Sequence, residues 1–162
     1  MKAARPPLSL KARALQWLAQ REHSRIELRR KLMRAARQRD ADDAEPQDSG
    51  PEVDALLDWL VAERHLSESR FVESRLHARS ARFGNRRIAQ ELAQHGVALE
   101  PGAAEHLKAS EFERARGVWL RKFGALPAAD VSERARQMRF LAARGFSAEV
   151  IRRVVRGDDA GD

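Results

Sequence analysis

Six arginines lie between Ser67 and Gly96: Arg70, Arg75, Arg79, Arg82, Arg86 and Arg87. They are the residues of this chain best suited to chemistry, and that chemistry is attraction rather than reaction. Only Glu73 and Glu91 oppose them between Arg70 and Gly96. A field of this sign favours polyanions such as nucleic acid, an acidic protein groove or anionic lipid. The same residues serve equally as the solvated faces of helices, because charge alone argues for solubility and non-specific binding.

Groups that could make or break bonds are sparse. Cysteine is absent, which excludes disulfides, thiol catalysis and cysteine-based zinc sites. Glu73–His77 and Glu91–His95 stand at i, i+4 spacing and could each offer two metal ligands. A site needs three or four, and no His-Glu-x-x-His motif is present, so exposed helix pairs are the plainer reading. There is no glycine-rich phosphate loop, nucleophile elbow or carboxylate cluster. We therefore expect no enzyme activity, no metal and no cofactor.

The arginines need elements to position them. Phe71, Val72, Leu76 and Phe83 recur at helical spacing, and Ile88 and Leu92 do so after Gly84-Asn85. Ser67 suits an N-cap and Gly96 a C-terminal stop, so the stretch reads as a helical hairpin with one apolar and one arginine-rich side.

Around it, 162 residues with 43% hydrophobic and 34% charged content suit a compact domain or a short array of small modules. Net charge is +7, but the segment 40–54 holds seven acids and no Lys or Arg, so the remainder carries +14. No run approaches the roughly 18 apolar residues of a membrane span, and charges interrupt every apolar run near the start. A cytoplasmic protein without membrane contact is expected.

In chain order, residues 1–8 read as a basic, flexible tail. Ser9 caps a helix from Leu10 to about Arg21, and Ser24 with Glu27 forms a capping box for the next. Residues 37–51 lack apolar periodicity and read as a flexible acidic loop. Pro51 opens a third helix carrying Val53, Leu56, Leu57, Leu60 and Val61. After Gly96 comes a short helix from Pro101 to Ala109. Ser110 with Glu113 reads as a fresh capping box, starting a helix to Phe123. Gly124 to Pro127 is a break. Asp130 with Glu133 starts a helix to about Arg144, and Ser147 caps the last one, before an acidic tail at 157–162. No strand is evident. Trp17, Trp59 and Trp119 fall within or beside apolar stripes, which favours core packing over stacking on bases.

The first and last hairpins align at an offset of 123 residues. Ala12-Arg13 matches Ala135-Arg136, Leu18-Ala19 matches Leu141-Ala142, Ser24 matches Ser147, and Arg29-Arg30 matches Arg152-Arg153. The expected fold is therefore all-α, an elongated array of three tandem three-helix, helix-turn-helix-like repeats over residues 9–65, 66–109 and 110–156. A helix-turn-helix DNA reader is a weaker fit, because distributed arginines suit backbone or broad-surface contact better than base readout.

Three segments carry a family resemblance: SESRF at 67–71, RFGNRRIAQEL at 82–92 and RQMRFLAARGFSAEVIRRVV at 136–155. They resemble the central and C-terminal signatures of the RecX regulators, bacterial proteins that control the RecA recombinase. The likeness covers about residues 9–156, and the long acidic loop departs from the family's shorter turn. It implies a monomeric negative regulator in DNA repair, recombination and the SOS response. Such a protein would lie in the groove of the RecA–DNA filament and inhibit its extension, ATP hydrolysis, strand exchange and co-protease activity. The implied contacts to RecA carboxylates, with a weaker direct contact to DNA phosphates, fall to Arg79, Arg82, Arg86 and Arg87, then Arg29, Arg30, Arg152 and Arg153. The alternative is a basic helical module that binds nucleic acid directly.

Overall fold

The structure is a computed structural model and describes residues 6–42, 47–124 and 128–158. The expectations for the basic tail at 1–5, the centre of the acidic loop at 43–46, the break at 125–127 and the tail at 159–162 lie outside the described residues. Eight α-helices and no strand occur among the described residues. The chain divides into two compact units, Met1–Phe71 and Val72–Asp162.

The first unit is built on α1 (Leu10–Gln20), α2 (Arg25–Arg39) and α3 (Gly50–Ala62). Ser9 Oγ accepts the Ala12 amide at 3.1 Å and Ser24 Oγ the Glu27 amide at 3.1 Å, so both serine caps form as the sequence predicts. Leu10, Ala14, Leu28, Leu32, Ala36, Val53, Leu57 and Leu60 make the core, with Trp17 and Trp59 half-buried against it.

The loop expectation needs correction at both ends. α2 runs on to Arg39, a 3-10 turn covers Asp40–Asp42, and α3 starts at Gly50. Ala35 and Ala36 are buried, so the apolar face of α2 continues past Met33 on side chains too small to register as a stripe. Polar contacts hold the ends. Arg39 pairs with Asp40 at 2.6 Å and Glu52 at 2.9 Å, and Ser49 Oγ donates to Asp40 Oδ2 at 2.8 Å.

α4 (Glu68–Arg79) begins in the first unit. Ser67 Oγ accepts the Arg70 amide at 3.3 Å. The Arg70 side chain is itself structural, donating to Glu22 Oε1 at 2.8 Å and to the Arg64 and His65 carbonyls at 2.9 and 3.2 Å.

In the second unit, α5 (Asn85–Gln94) follows the turn at Gly84, and Gly96 ends it with φ +68°. α6 is one helix of 23 residues, Pro101–Phe123, where the sequence suggests two. Ser110 is not an N-cap. Its Oγ donates to the Leu107 carbonyl at 3.2 Å and accepts from Arg114 Nε at 3.1 Å. A capping box marks a start only where the preceding residues leave the helix. Here Leu107, Glu111, Ala115 and Trp119, spaced by four, carry the buried stripe straight through position 110. The expected boundary between the repeats 66–109 and 110–156 therefore falls inside this helix.

α7 (Val131–Ala143) starts at Asp130, whose Oδ1 accepts the Glu133 amide at 2.8 Å. α8 (Ala148–Arg156) starts at Ser147. Phe112, Ala115, Val118, Trp119, Leu141, Phe146, Ile151, Val154 and Val155 form this core. Trp119 is buried, and its indole N–H donates to buried Gln137 Oε1 at 2.8 Å.

Candidate functional site

The best-built feature of the second unit is the meeting of two turns, the one before α5 and the one before α8. Gly84 donates its amide to the Arg144 carbonyl at 2.8 Å, and Arg86 donates its amide to the Gly145 carbonyl at 3.1 Å. The backbones touch because neither glycine has a side chain. A Cβ on Gly84 would lie 2.2 Å from the Phe146 nitrogen, and one on Gly145 would lie 2.5 Å from Arg87 Cβ. Gly145 also has φ +84°, which favours glycine on its own account.

Arginines gather over this crossing. The guanidinium carbons of Arg79, Arg82, Arg87 and Arg144 lie 5.4, 5.4, 4.2 and 5.6 Å from the centroid of the Phe83 ring. Phe83 is buried, so its ring is a floor for these cations rather than a platform for a stacked base. Among the described residues, Glu91 is the carboxylate paired with them. Glu91 lies 3.1 Å from Arg79 Nε and 3.7 Å from Arg87 Nε. The Arg79 contact is an ion pair without an aligned hydrogen bond, since that buried Nε has no hydrogen-bond partner. Beside the cluster lies an open cleft of about 460 Å³, lined by Arg86, Arg87, Gln90, Glu91, Gln94 and Gly145.

The eight arginines singled out in the sequence therefore differ in kind. Arg79, Arg82 and Arg87 come together around Phe83, with Arg86 at the adjoining cleft. Arg82, Arg86 and Arg152 are exposed, with no carboxylate within ion-pair distance among the described residues. Arg153 packs over the Phe112 ring at 4.4 Å, which gives it a structural task. In the first unit, Arg29 is paired with Asp54 at 2.7 Å; this hydrogen-bonded pair raises Arg29 and lowers Asp54 from their usual pKa values. Arg30 is exposed beside Ile26 and Met33 on the outer face of α2.

Three residues that matter here carry no such signal in the arginine pattern. Arg144 joins the cluster from the turn before α8 and donates to the Arg82 carbonyl at 3.3 Å. Glu111 is buried, and its Oε1 accepts the amides of Asn85 at 3.1 Å and Ser147 at 3.2 Å. Arg114 donates to the carbonyls of Ser80, Phe83 and Leu107 at 3.0, 2.9 and 3.1 Å and to Asn85 Oδ1. Burial pulls the Arg114 guanidinium down from its ordinary pKa, and the charge of Glu111 opposes that shift. The clue available in sequence was Glu111 itself, an acid placed four residues from both Leu107 and Ala115 on an apolar stripe.

No group of three or more His, Asp or Glu side chains is arranged to hold a metal among the described residues. No described helix is long and apolar enough to cross a membrane.

The chain is 52% identical to "Regulatory protein RecX" of Ralstonia nicotianae, over 99% of this chain and 94% of that relative. It belongs to the RecX family. A RecX relative from Ralstonia pickettii is 47% identical over 98% of this chain and 94% of its own length, and one from Pseudomonas putida is 41% identical over 96% and 95%. The family models for the second and third three-helix domains of RecX match residues 67–100 and 109–155. The crystal structure of RecX from Lactobacillus salivarius superposes with a TM-score of 0.63, covering 91% of this chain and 93% of that one. At 16% identity, that likeness speaks for the RecX fold alone. RecX is a family of regulatory proteins, and both segments that carry the Phe83 cluster and the turn crossing fall within its domain models.

Proposed function

We propose that this chain is a negative regulator of the RecA recombinase in DNA repair and recombination. It acts as a cytoplasmic monomer of three tandem repeats and without catalysis. It binds in the groove of the RecA–DNA filament and limits filament extension, and so lowers ATP hydrolysis, strand exchange and co-protease activity. Family membership along nearly the full chain supports the regulatory role. The observation that carries the binding mode is the arginine cluster over Phe83. Four guanidiniums face one carboxylate there, on a scaffold fixed by backbone contacts. An excess of cations pinned in place suits an acidic groove, because fewer side chains must be ordered on binding.

The test is RecA's ATP hydrolysis on single-stranded DNA, with this protein titrated in below one copy per RecA and DNA in excess. Inhibition at substoichiometric amounts, with little binding to bare DNA, is expected. Inhibition relieved simply by adding DNA would reassign the protein to direct nucleic-acid binding.

A further inference from the structure

We infer that Glu111 and Arg114 are positioning residues: they lock the turn before α5 to the turn before α8, so that Arg82, Arg86, Arg87 and Arg144 meet an anionic partner as one rigid array. This deepens the proposed filament-binding role and rests on it, but the lock itself can be tested without RecA.

The geometry argues for a lock. One carboxylate oxygen, Glu111 Oε1, accepts an amide from the first residue of α5 and another from the cap residue of α8. Both amides belong to helix N-termini, whose first amides have no partner inside their own helices. Negative charge is favoured at such ends, so a single carboxylate serves two helices at once. Arg114, one turn further along α6, closes the other side. It donates to the Ser80 and Phe83 carbonyls, which belong to the turn that carries Arg82. The glycine crossing then joins the turns directly, through Gly84 to Arg144 and Arg86 to Gly145.

Neither locking side chain is suited to touching a partner. Glu111 is 4% exposed, and Arg114 is spread over five acceptors within its own unit. Their cost of burial is justified if the positions they fix matter. Four flexible cationic side chains on independent turns would lose more freedom on binding than four on a common frame. The arginines supply the attraction, and Glu111 supplies their spacing.

The first measurement is amide hydrogen exchange on the intact protein. The Asn85 and Ser147 amides should exchange together, in the slowest class of the second unit. Independent or fast exchange of either overturns the lock, whatever RecA does. The second measurement is a double-mutant cycle in RecA ATPase inhibition, using Glu111→Gln and Arg87→Ala. Glutamine keeps the shape but loses the charge that holds two amides. Each single variant should weaken inhibition, and the Arg87→Ala effect should shrink by roughly two-fold to a hundred-fold in the Glu111→Gln background, the range of coupling between neighbours. Strict additivity with helicity intact overturns the positioning role, because a merely structural loss would leave the Arg87 contact unchanged. A wild type that fails to inhibit RecA at all refutes the filament role instead, and the exchange result then decides the lock alone.

Discussion

The amide nitrogen of Gly84 lies 2.8 Å from the carbonyl oxygen of Arg144, sixty residues away along the chain. This contact brings arginines from both turns to the Phe83 ring. Arg82 comes from one turn, Arg87 from the start of the helix that follows it, and Arg144 from the other turn.

The crossing predicts a steep penalty for the smallest possible side chain. A Cβ at Gly84 or Gly145 would lie 2.2 or 2.7 Å from the backbone nitrogen of Phe146 or Arg87. Gly84→Ala and Gly145→Ala should each destabilise the second unit by about 1–3 kcal/mol, as overpacking does elsewhere. Thermal unfolding followed by circular dichroism checks this, with Gly102→Ala as the control because nothing lies within 4 Å of its added Cβ.

Charge reversal separates binding from folding. Arg82, Arg86 and Arg87 are exposed. Changing all three to Glu should abolish RecA inhibition at moderate salt while leaving the helical signal intact. Unchanged inhibition in a folded triple variant would remove the cluster from the binding surface.

Core positions should behave in the opposite way. Leu57 and Ile151 are 0% and 4% exposed. Leu57→Asp or Ile151→Asp buries an unpaired charge and should cost more than about 4 kcal/mol, enough to unfold the unit concerned. Loss of cooperative unfolding with residual helicity is the expected signature. A milder loss of about 1–3 kcal/mol is expected for Trp119→Phe, which strands the buried Gln137 acceptor.

The first unit should weaken in mild acid. His23 is 1% exposed, with Nδ1 2.9 Å from the Arg21 carbonyl and Nε2 3.0 Å from Lys31 Nζ. In the neutral form Nδ1 donates to that carbonyl and Nε2 accepts from the ammonium. Burial is the main cause holding His23 below its ordinary value. The unfolded chain therefore takes up a proton near pH 6.5 that the folded chain refuses, and stability falls as pH drops below about 6.5. The melting temperature of the first unit should decline from pH 7.5 to pH 5, and His23→Gln should flatten that decline. Asp40, Glu52 and Asp54, held low by hydrogen bonds from Arg39 and Arg29, add a further loss of the same sign below the usual carboxylate range.

Periodicity and caps carried most of the helices. Ser9, Ser24, Asp130 and Ser147 all cap as their spacing predicts. Ser110 misled because a capping pair has the same spelling inside a helix as at its start, and only the uninterrupted buried stripe tells the two apart. The end of α2 was hidden for a related reason. Ala35 and Ala36 bury little area and leave only a faint hydrophobic mark. The arginines were legible as a set, but not their division of labour. Arg70 and Arg114 look like their neighbours in sequence, yet both spend their donors on backbone carbonyls. Arg114 reaches the Ser80 and Phe83 carbonyls across 34 and 31 residues, a separation no local pattern records.

The unbroken course of α6 fixes where this chain can change length. A helix turns sequence distance into angle, roughly 100° and 1.5 Å per residue. Leu107, Glu111, Arg114 and Trp119 all hang from that one shaft, so their bearings are set by counting residues. A single residue inserted between Leu107 and Glu111 would swing the locking pair and the Trp119 face together by almost a third of a turn. α6 is thus a gauge whose length is part of the protein's specification, as fixed as the two turns it holds together.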